Sequence, residues 1–179
     1  MLQNSISQAQ SILRHGGVIA YSTETVLGLG CDPLNQNAVK RICWLKDRAI
    51  ENGLIVVVEN CEVLQKYSQS LSKAQITQIK KSKNTTWLIP KNNNVPIWVT
   101  GSHDQVAVRI SDHSVASALS SAINGIISTS ANISSYKTLT SQNEIRDWFG
   151  PHVDYMVINQ SGSGEPSKIC DLLTGKQLR

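Results

Sequence analysis

Apolar residues recur along the chain in two alternating periods, and those periods set an order of elements. Ile6, Ala9, Ile12 and Leu13 share one helical face behind Ser5, a residue suited to capping, and Gly16-Gly17 stops that helix. Val18-Ile19-Ala20-Tyr21 then reads as a buried strand entering Ser22-Thr23-Glu24-Thr25, and the stretch from Gly28 to Pro33 reads as a loop. A second helix is expected over about Gln36 to Asp47, with Val39, Ile42, Cys43 and Leu45 turned inward. Gly53 breaks the chain before Leu54–Val58, a near-continuous apolar strand of the kind buried on both faces.

The stretch from Cys61 to Lys83 reads as helical in two pieces. Thr85–Ile89 is a strand closed by Pro90, Lys91–Pro96 is a polar loop, and Gln105–Ile110 alternates as a strand should. His113–Ile123 is helical, and Gly125 turns the chain into strand Ile126–Ser128 and the polar tract Thr129–Asn132. A further helix over about Ser141 to Phe149 ends at Gly150-Pro151. Tyr155–Ile158 and Ile169–Leu173 close the sequence as short strands around a Ser/Gly loop at 161–164. Helices alternating with strands select the α/β class with a buried, at least partly parallel sheet. No internal repeat and no linker breaks residues 1–179, so one domain is expected.

Composition narrows the function classes. Hydrophobic residues make up 40% and charged residues 17%, an ordinary globular balance. A chain of this length hides about 70% of its unfolded surface and can hold a three-layer core without a structural metal. No run approaches the ~18 apolar residues of a membrane helix, and Met1-Leu2-Gln3-Asn4-Ser5 lacks the start of a secretory signal. Cys31, Cys43, Cys61 and Cys170 are scattered, as are the histidines, which argues against a disulfide framework and a metal site and fits a reducing cytoplasm. From Lys40 to Lys91 there are ten Lys or Arg against four acids, while the rest of the chain holds seven against nine. That middle stretch attracts phosphates, of a nucleotide or of RNA, or is simply a solvated lysine-rich helix.

Phosphate-binding motifs of the common kinds are absent. There is no G-x-x-x-x-G-K-[ST], and Gly28-Leu29-Gly30 fails as a dinucleotide fingerprint because Pro33 stands at the third glycine position. Nucleotide handling would have to come from side chains on separate loops. Polar segments follow predicted strands or end helices, where ligands of α/β sheets bind. Ser22-Thr23-Glu24-Thr25 offers hydroxyls and a carboxylate to an amino acid, or forms a tight turn. Lys46-Asp47-Arg48 sets two cations at a helix end, suited to a triphosphate or to the helix dipole. Ser128-Thr129-Ser130-Ala131-Asn132 projects hydroxyls from one side of a strand end, or is a polar turn. Arg109 suits a carboxylate through its planar fork, or pairs with Asp112 nearby.

In this order and spacing the segments resemble the YrdC/TsaC family, the threonylcarbamoyl-adenylate synthases. The family's Tyr-Pro-Thr-Glu-Thr with Gly-Leu-Gly stands here as Tyr21 to Thr25 with Gly28-Leu29-Gly30, and its Lys-x-Arg as Lys46-Asp47-Arg48 before Gly53-Leu54-Ile55-Val56. Its Val-Arg-x-x-Asp-His stands as Val108 to His113, its Ser-x-Ser-Ala-Asn as Ser128 to Asn132, and its late Pro-Ser as Pro166-Ser167. The resemblance implies a three-layer YrdC-like fold, a twisted mixed sheet flanked by helices. It implies that Lys46, Arg48, Ser130 and Asn132 handle the nucleotide and catalysis, and that Thr25, Arg109, Ser128 and Ser167 bind L-threonine. It further implies L-threonine, bicarbonate and ATP with Mg²⁺ as reactants, no protein-built metal site, and tRNA threonylcarbamoyl-transfer proteins as partners.

Departures from the family pattern are Ser22, Ala49 and Gly53 in place of prolines, and Lys81-Ser82-Lys83-Asn84-Thr85-Thr86 in place of Trp-Pro-Gly-Pro-x-Thr, which keeps only the final threonine. Lost prolines leave loops more conformations to lose on ordering. Two readings compete with the synthase. An RNA-binding maturation factor without catalysis would use the basic middle stretch, though no aromatic-basic run accompanies it. A carbamoyl-phosphate-using module, as in hydrogenase maturation factors, would sit in a longer chain with paired cysteines.

Overall fold

The computed structural model describes residues 2–159, 162 and 164–179. In chain order the elements are α1 (Leu2–Arg14), β1 (Ile19–Tyr21), β2 (Gly28–Gly30), α2 (Gln36–Leu45), β3 (Ile55–Val58), α3 (Cys61–Leu64), α4 (Lys73–Lys81) and β4 (Thr85–Pro90). They continue with α5 (Ile97–Thr100), β5 (Gln105–Ile110), α6 (Ser114–Ser121), β6 (Ile126–Ser130), α7 (Gln142–Phe149), β7 (Tyr155–Val157) and β8 (Lys168–Asp171). Side-chain caps fix several helix starts: Asn35 accepts from the Ala38 amide before α2, and Ser72/Gln75 and Ser141/Glu144 form reciprocal capping boxes before α4 and α7.

Several expectations need correcting. Ser5 is no cap, because α1 already begins at Leu2, with no breaker among the residues between them. The stretch after Gly28 is not simply a loop: β2 pairs with β1 as Tyr21↔Gly28 and with β6 as Leu29↔Thr129. A Cβ on Gly30 would lie 2.6 Å from the Ile127 carbonyl oxygen and 2.7 Å from Tyr21 Cε1, so the glycine serves close approach rather than a turn. Strand β6 likewise runs on through Thr129 and Ser130. The last strand ends earlier than expected, because the Asp171 carboxylate accepts from the Leu173 and Thr174 amides and starts a turn. Within the Ser/Gly loop at 161–164, Ser161 and Ser163 lie outside the described residues.

The sheet has eight strands in the order β7-β1-β2-β6-β3-β5-β4-β8. Pairs β1·β7, β3·β5 and β4·β8 are parallel and the others antiparallel, the mixed sheet that the family resemblance implies. On one face Ala20, Leu29, Val56, Val58, Val106 and Val108 pack with residues of α2, α3, α5 and α7 in the larger apolar cluster. On the other, Ile19, Tyr21, Val57 and Ile126 pack with Ala9 and Leu13 of α1 and Val115, Ala116 and Leu119 of α6. The chain is thus helix, sheet, helix in layers.

The second helical layer stops partway across the sheet. Side chains two apart on a strand share a face. Ile55 therefore shares Val57's face, Ser128 shares Ile126's, and Ala107 and Arg109 join them through the pairings Ile55↔Ala107 and Val57↔Arg109. Val57 and Ile126 lie beneath α1 and α6. Ile55, Ala107, Arg109 and Ser128 line an open cavity instead.

Candidate active site

The cavity has a volume of about 580 Å³, a size typical of small-ligand sites. Thr25, Lys46, Arg48, Arg109, Ser128, Ser130, Asn132 and Ser167 all line it, so residues from distant stretches of sequence meet in one place. Its cationic lining is Lys46, Arg48, Arg109 and Arg179, and among the described residues no aspartate or glutamate lines it. Such a field favours ligands carrying several negative charges.

Lys46 and Arg48 reach the cavity because α2 ends just before them. Lys46 is the C-cap, and Asp47 turns the chain with φ 47°, a left-handed conformation that aspartate tolerates better than most residues. Lys46 is buried, at 3% exposure. Its Nζ donates to the carbonyl oxygens of Ser130 at 2.5 Å and Asn132 at 2.6 Å, with Asn132 Oδ1 at 3.5 Å. An ammonium has three N–H groups, so the weakly held third is the one open to a ligand. Burial, followed by the nearby Arg48 charge, lowers the Lys46 pKa to about 8. Asn132 also braces its own loop, donating from Nδ2 to the carbonyls of Ile133 and Tyr136, each at 2.8 Å. Arg48 donates from Nη2 to the Gly53 carbonyl at 2.9 Å, and its Nε is buried without a partner.

Another part of the lining is built of hydroxyls around Arg109. The β1–β2 connection carries Thr23 and Thr25, whose Oγ1 atoms are 3.1 Å apart. Thr23 Oγ1 donates to the Val26 carbonyl at 2.6 Å, and a hydroxyl has one proton. Thr25 must therefore donate to Thr23, which leaves the Thr25 oxygen to accept from a ligand. Ser167 Oγ and Thr86 Oγ1 are 2.9 Å apart, both buried. Arg109 does not pair with Asp112: its ionic partner is Glu24, with Oε1 3.3 Å from Nε.

Some lining residues escaped sequence reasoning. Arg179 donates from Nε and Nη2 to the Ser167 carbonyl at 3.2 and 3.0 Å and lines the cavity beside Arg109. Burial and then the Arg109 charge lower its pKa. No motif marked it; it arrives because residues 177–179 fold back along β8, with the Leu178 amide bonded to the Ile169 carbonyl. Thr86, which supports the lining residue Ser167 without lining the cavity itself, had a signal, as the one threonine kept where the proline-glycine segment is missing.

Residues 11–179 match the Sua5/YciO/YrdC family model, described as telomere recombination. The chain belongs to this family. A threonylcarbamoyl-AMP synthase of Cellvibrio japonicus is 37% identical over 182 residues, covering 99% of this chain and 96% of that protein. A structure of P. abyssi Sua5 complexed with L-threonine superposes with a TM-score of 0.85 at 32% identity, over 94% of this chain and 51% of that one. The chain thus spans about half the length of that Sua5. E. coli YciO superposes with a TM-score of 0.82 at 26% identity, over 94% of this chain and 84% of that one. The mixed α/β frame is accordingly that of a Sua5/YciO/YrdC domain.

Proposed function

We propose that the protein is a threonylcarbamoyl-AMP synthase. It forms L-threonylcarbamoyladenylate and pyrophosphate from L-threonine, bicarbonate and ATP, for threonylcarbamoyladenosine modification of tRNA. The observation that carries this reading is a cavity lined by Lys46, Arg48, Arg109 and Arg179, with no aspartate or glutamate among its described lining residues, in a chain related over nearly its whole length to proteins bearing that name.

Threonine's amine and bicarbonate give a carbamate and water. A carbamate oxygen attacks the α-phosphorus of ATP, the bond to the β-phosphate bridging oxygen breaks, and pyrophosphate leaves. The product is a mixed carbamic–phosphoric anhydride. The reaction needs no covalent enzyme intermediate; it needs alignment and cancellation of charge. Lys46 and Arg48 offset phosphate charge with the N–H groups their backbone contacts leave free. Ser130 and Asn132 orient the nucleotide by hydrogen bonds. Arg109 takes the threonine carboxylate through its fork, Ser128 and Ser167 add hydroxyl contacts, and Thr25 accepts from the substrate nitrogen. Mg²⁺ comes with the ATP, held by phosphate oxygens and water.

No helix among the described residues is long and apolar enough to cross a membrane. The reading places the reaction in the cytoplasm, with tRNA threonylcarbamoyl-transfer proteins taking the labile anhydride. A pyrophosphate-release assay tests it, omitting threonine or bicarbonate in turn. Release that requires both supports the synthase. Release indifferent to threonine, with salt-sensitive RNA binding, would instead identify an RNA-binding maturation factor.

A further inference from the structure

We infer that Glu24 is a positioning residue for substrate carboxylate recognition, acting through Arg109 from behind the cavity wall; this rests on the synthase reading above. Thr23, Thr25 and Arg109 line the cavity, but Glu24 does not. Its carboxylate approaches Arg109 from the Nε edge at 3.3 Å, close enough for charge attraction though without hydrogen-bond alignment. The Arg109 side chain is only 5% exposed, so the charge that steadies it must come from within the protein. Among the described residues Glu24 is its sole ionic partner.

Glu24 is itself held. Ser111 Oγ donates to Oε2 at 2.7 Å and accepts from the His113 amide at 3.2 Å. Ser111 in turn continues the β3·β5 pairing, its amide bonded to the Val58 carbonyl. The Glu24 backbone is confined too: a Cβ on Gly162 would lie 2.2 Å from the Glu24 carbonyl carbon and oxygen, so Gly162 packs directly on that peptide. Its flanks are tied by the Asn159 amide to Ser22 Oγ and the Gly164 amide to the Thr25 carbonyl.

A guanidinium has an Nε edge and an edge formed by its two Nη groups, and both can bind carboxylates. With the first taken by Glu24, the second is left for the ligand, and rotation about the Arg109 side chain is restricted. Glu24 also offsets one charge where Arg109 and Arg179 lie close enough for Arg109 to lower the Arg179 pKa. Both carboxylate oxygens are engaged, which argues against Glu24 binding the substrate amine itself.

The test is a double-mutant cycle of Glu24→Gln and Arg109→Ala, reading threonine and ATP half-saturation by pyrophosphate release and threonine binding by calorimetry. Glu24→Gln should weaken threonine about tenfold, within the range of coupling between contacting charged residues, and leave ATP half-saturation nearly unchanged. In the Arg109→Ala background the same change should have little further effect. If threonine and ATP weaken equally, or Glu24→Gln costs as much without Arg109 as with it, the inference fails while the synthase reading stands. If the unaltered protein binds no threonine, both fail. Should Glu24→Gln not fold, as judged by circular dichroism, Ser111→Ala must give the same threonine-only shift in smaller size, and a null result there overturns the inference.

Discussion

Lys46 and Asn132 hold each other twice: the ammonium donates to the Asn132 backbone carbonyl at 2.6 Å and stands 3.5 Å from the side-chain oxygen. This buried cation of the cavity lining is therefore also the fastener of the loop after β6, which is bound a second time through the Ser134 amide and the Lys46 carbonyl. Removing Lys46 should damage charge and loop together. Lys46→Ala is expected to lower the rate of pyrophosphate release by roughly 10²–10³-fold, the scale seen when a preorganised electrostatic donor is lost. Steady-state pyrophosphate assays measure it.

The buried ammonium also predicts a pH dependence. Its pKa is lowered from 10.5 to about 8 by burial and Arg48, so the free enzyme loses this charge as pH rises through about 8. kcat/KM for ATP should fall on that alkaline side, since it reports the free enzyme, and Lys46→Arg should remove that limb of the profile. Stability moves the other way. Between about 8 and 10.5 the unfolded chain binds the proton more than the folded one, so this group makes stability rise with pH there, by no more than about 3 kcal/mol. Urea unfolding of Lys46→Met across that window should show a flatter dependence.

Arg109→Ala should raise the threonine half-saturation by roughly 10- to 150-fold, the worth of a hydrogen bond to a charged group. The ATP half-saturation should move far less. Equal effects on the two substrates would contradict the carboxylate-binding role.

Thr86→Val keeps the shape of a buried strand residue and removes the hydroxyl that pairs with Ser167 Oγ at 2.9 Å. Leaving Ser167 without that partner should cost about 1–3 kcal/mol in urea unfolding. The threonine half-saturation should rise with it if Ser167 contacts the amino acid.

Gly30→Ala should destabilise the fold by about 1–3 kcal/mol, as overpacking does. Its new methyl would meet the Ile127 carbonyl oxygen, a backbone atom with no rotamer to change, as well as the Tyr21 ring. Chemical unfolding with unchanged m-value would measure it.

Much of the frame was legible because period and punctuation agreed. Leu54–Val58 read as a strand buried on both faces, and Val56, Val57 and Val58 are all fully buried. The two helical pieces between Cys61 and Lys83 are α3 and α4. Strand β2 was illegible because Gly-Leu-Gly carries the local signature of a turn, and only its neighbours on both sides make it a strand. The short helix α5 was missed because its four residues are too few to show a period. Among site residues, Lys46 and Arg48 were visible through spacing, while Arg179 was not, since its place depends on the tail pairing back onto β8. The Glu24–Arg109 pair was hidden for a similar reason. Asp112 is the nearer acid in sequence, but proximity along a strand says nothing about which loop folds over it.

The incomplete helical cover over the sheet makes the cavity floor out of framework strands. Ile55 and Ala107 pair with neighbouring strands on both sides and Ser128 pairs with Ile55, while residues two along, such as Val57 and Ile126, are locked in apolar packing. A ligand entering the cavity would meet a floor already ordered, and any entropy lost on binding would fall on the loops carrying Thr25, Asn132 and Ser167. Catalytic tuning can change in those loops without disturbing the floor. A one-residue slip in β3 or β6 could not be so contained, because it would turn core valine and isoleucine into the binding surface and send its lining inward.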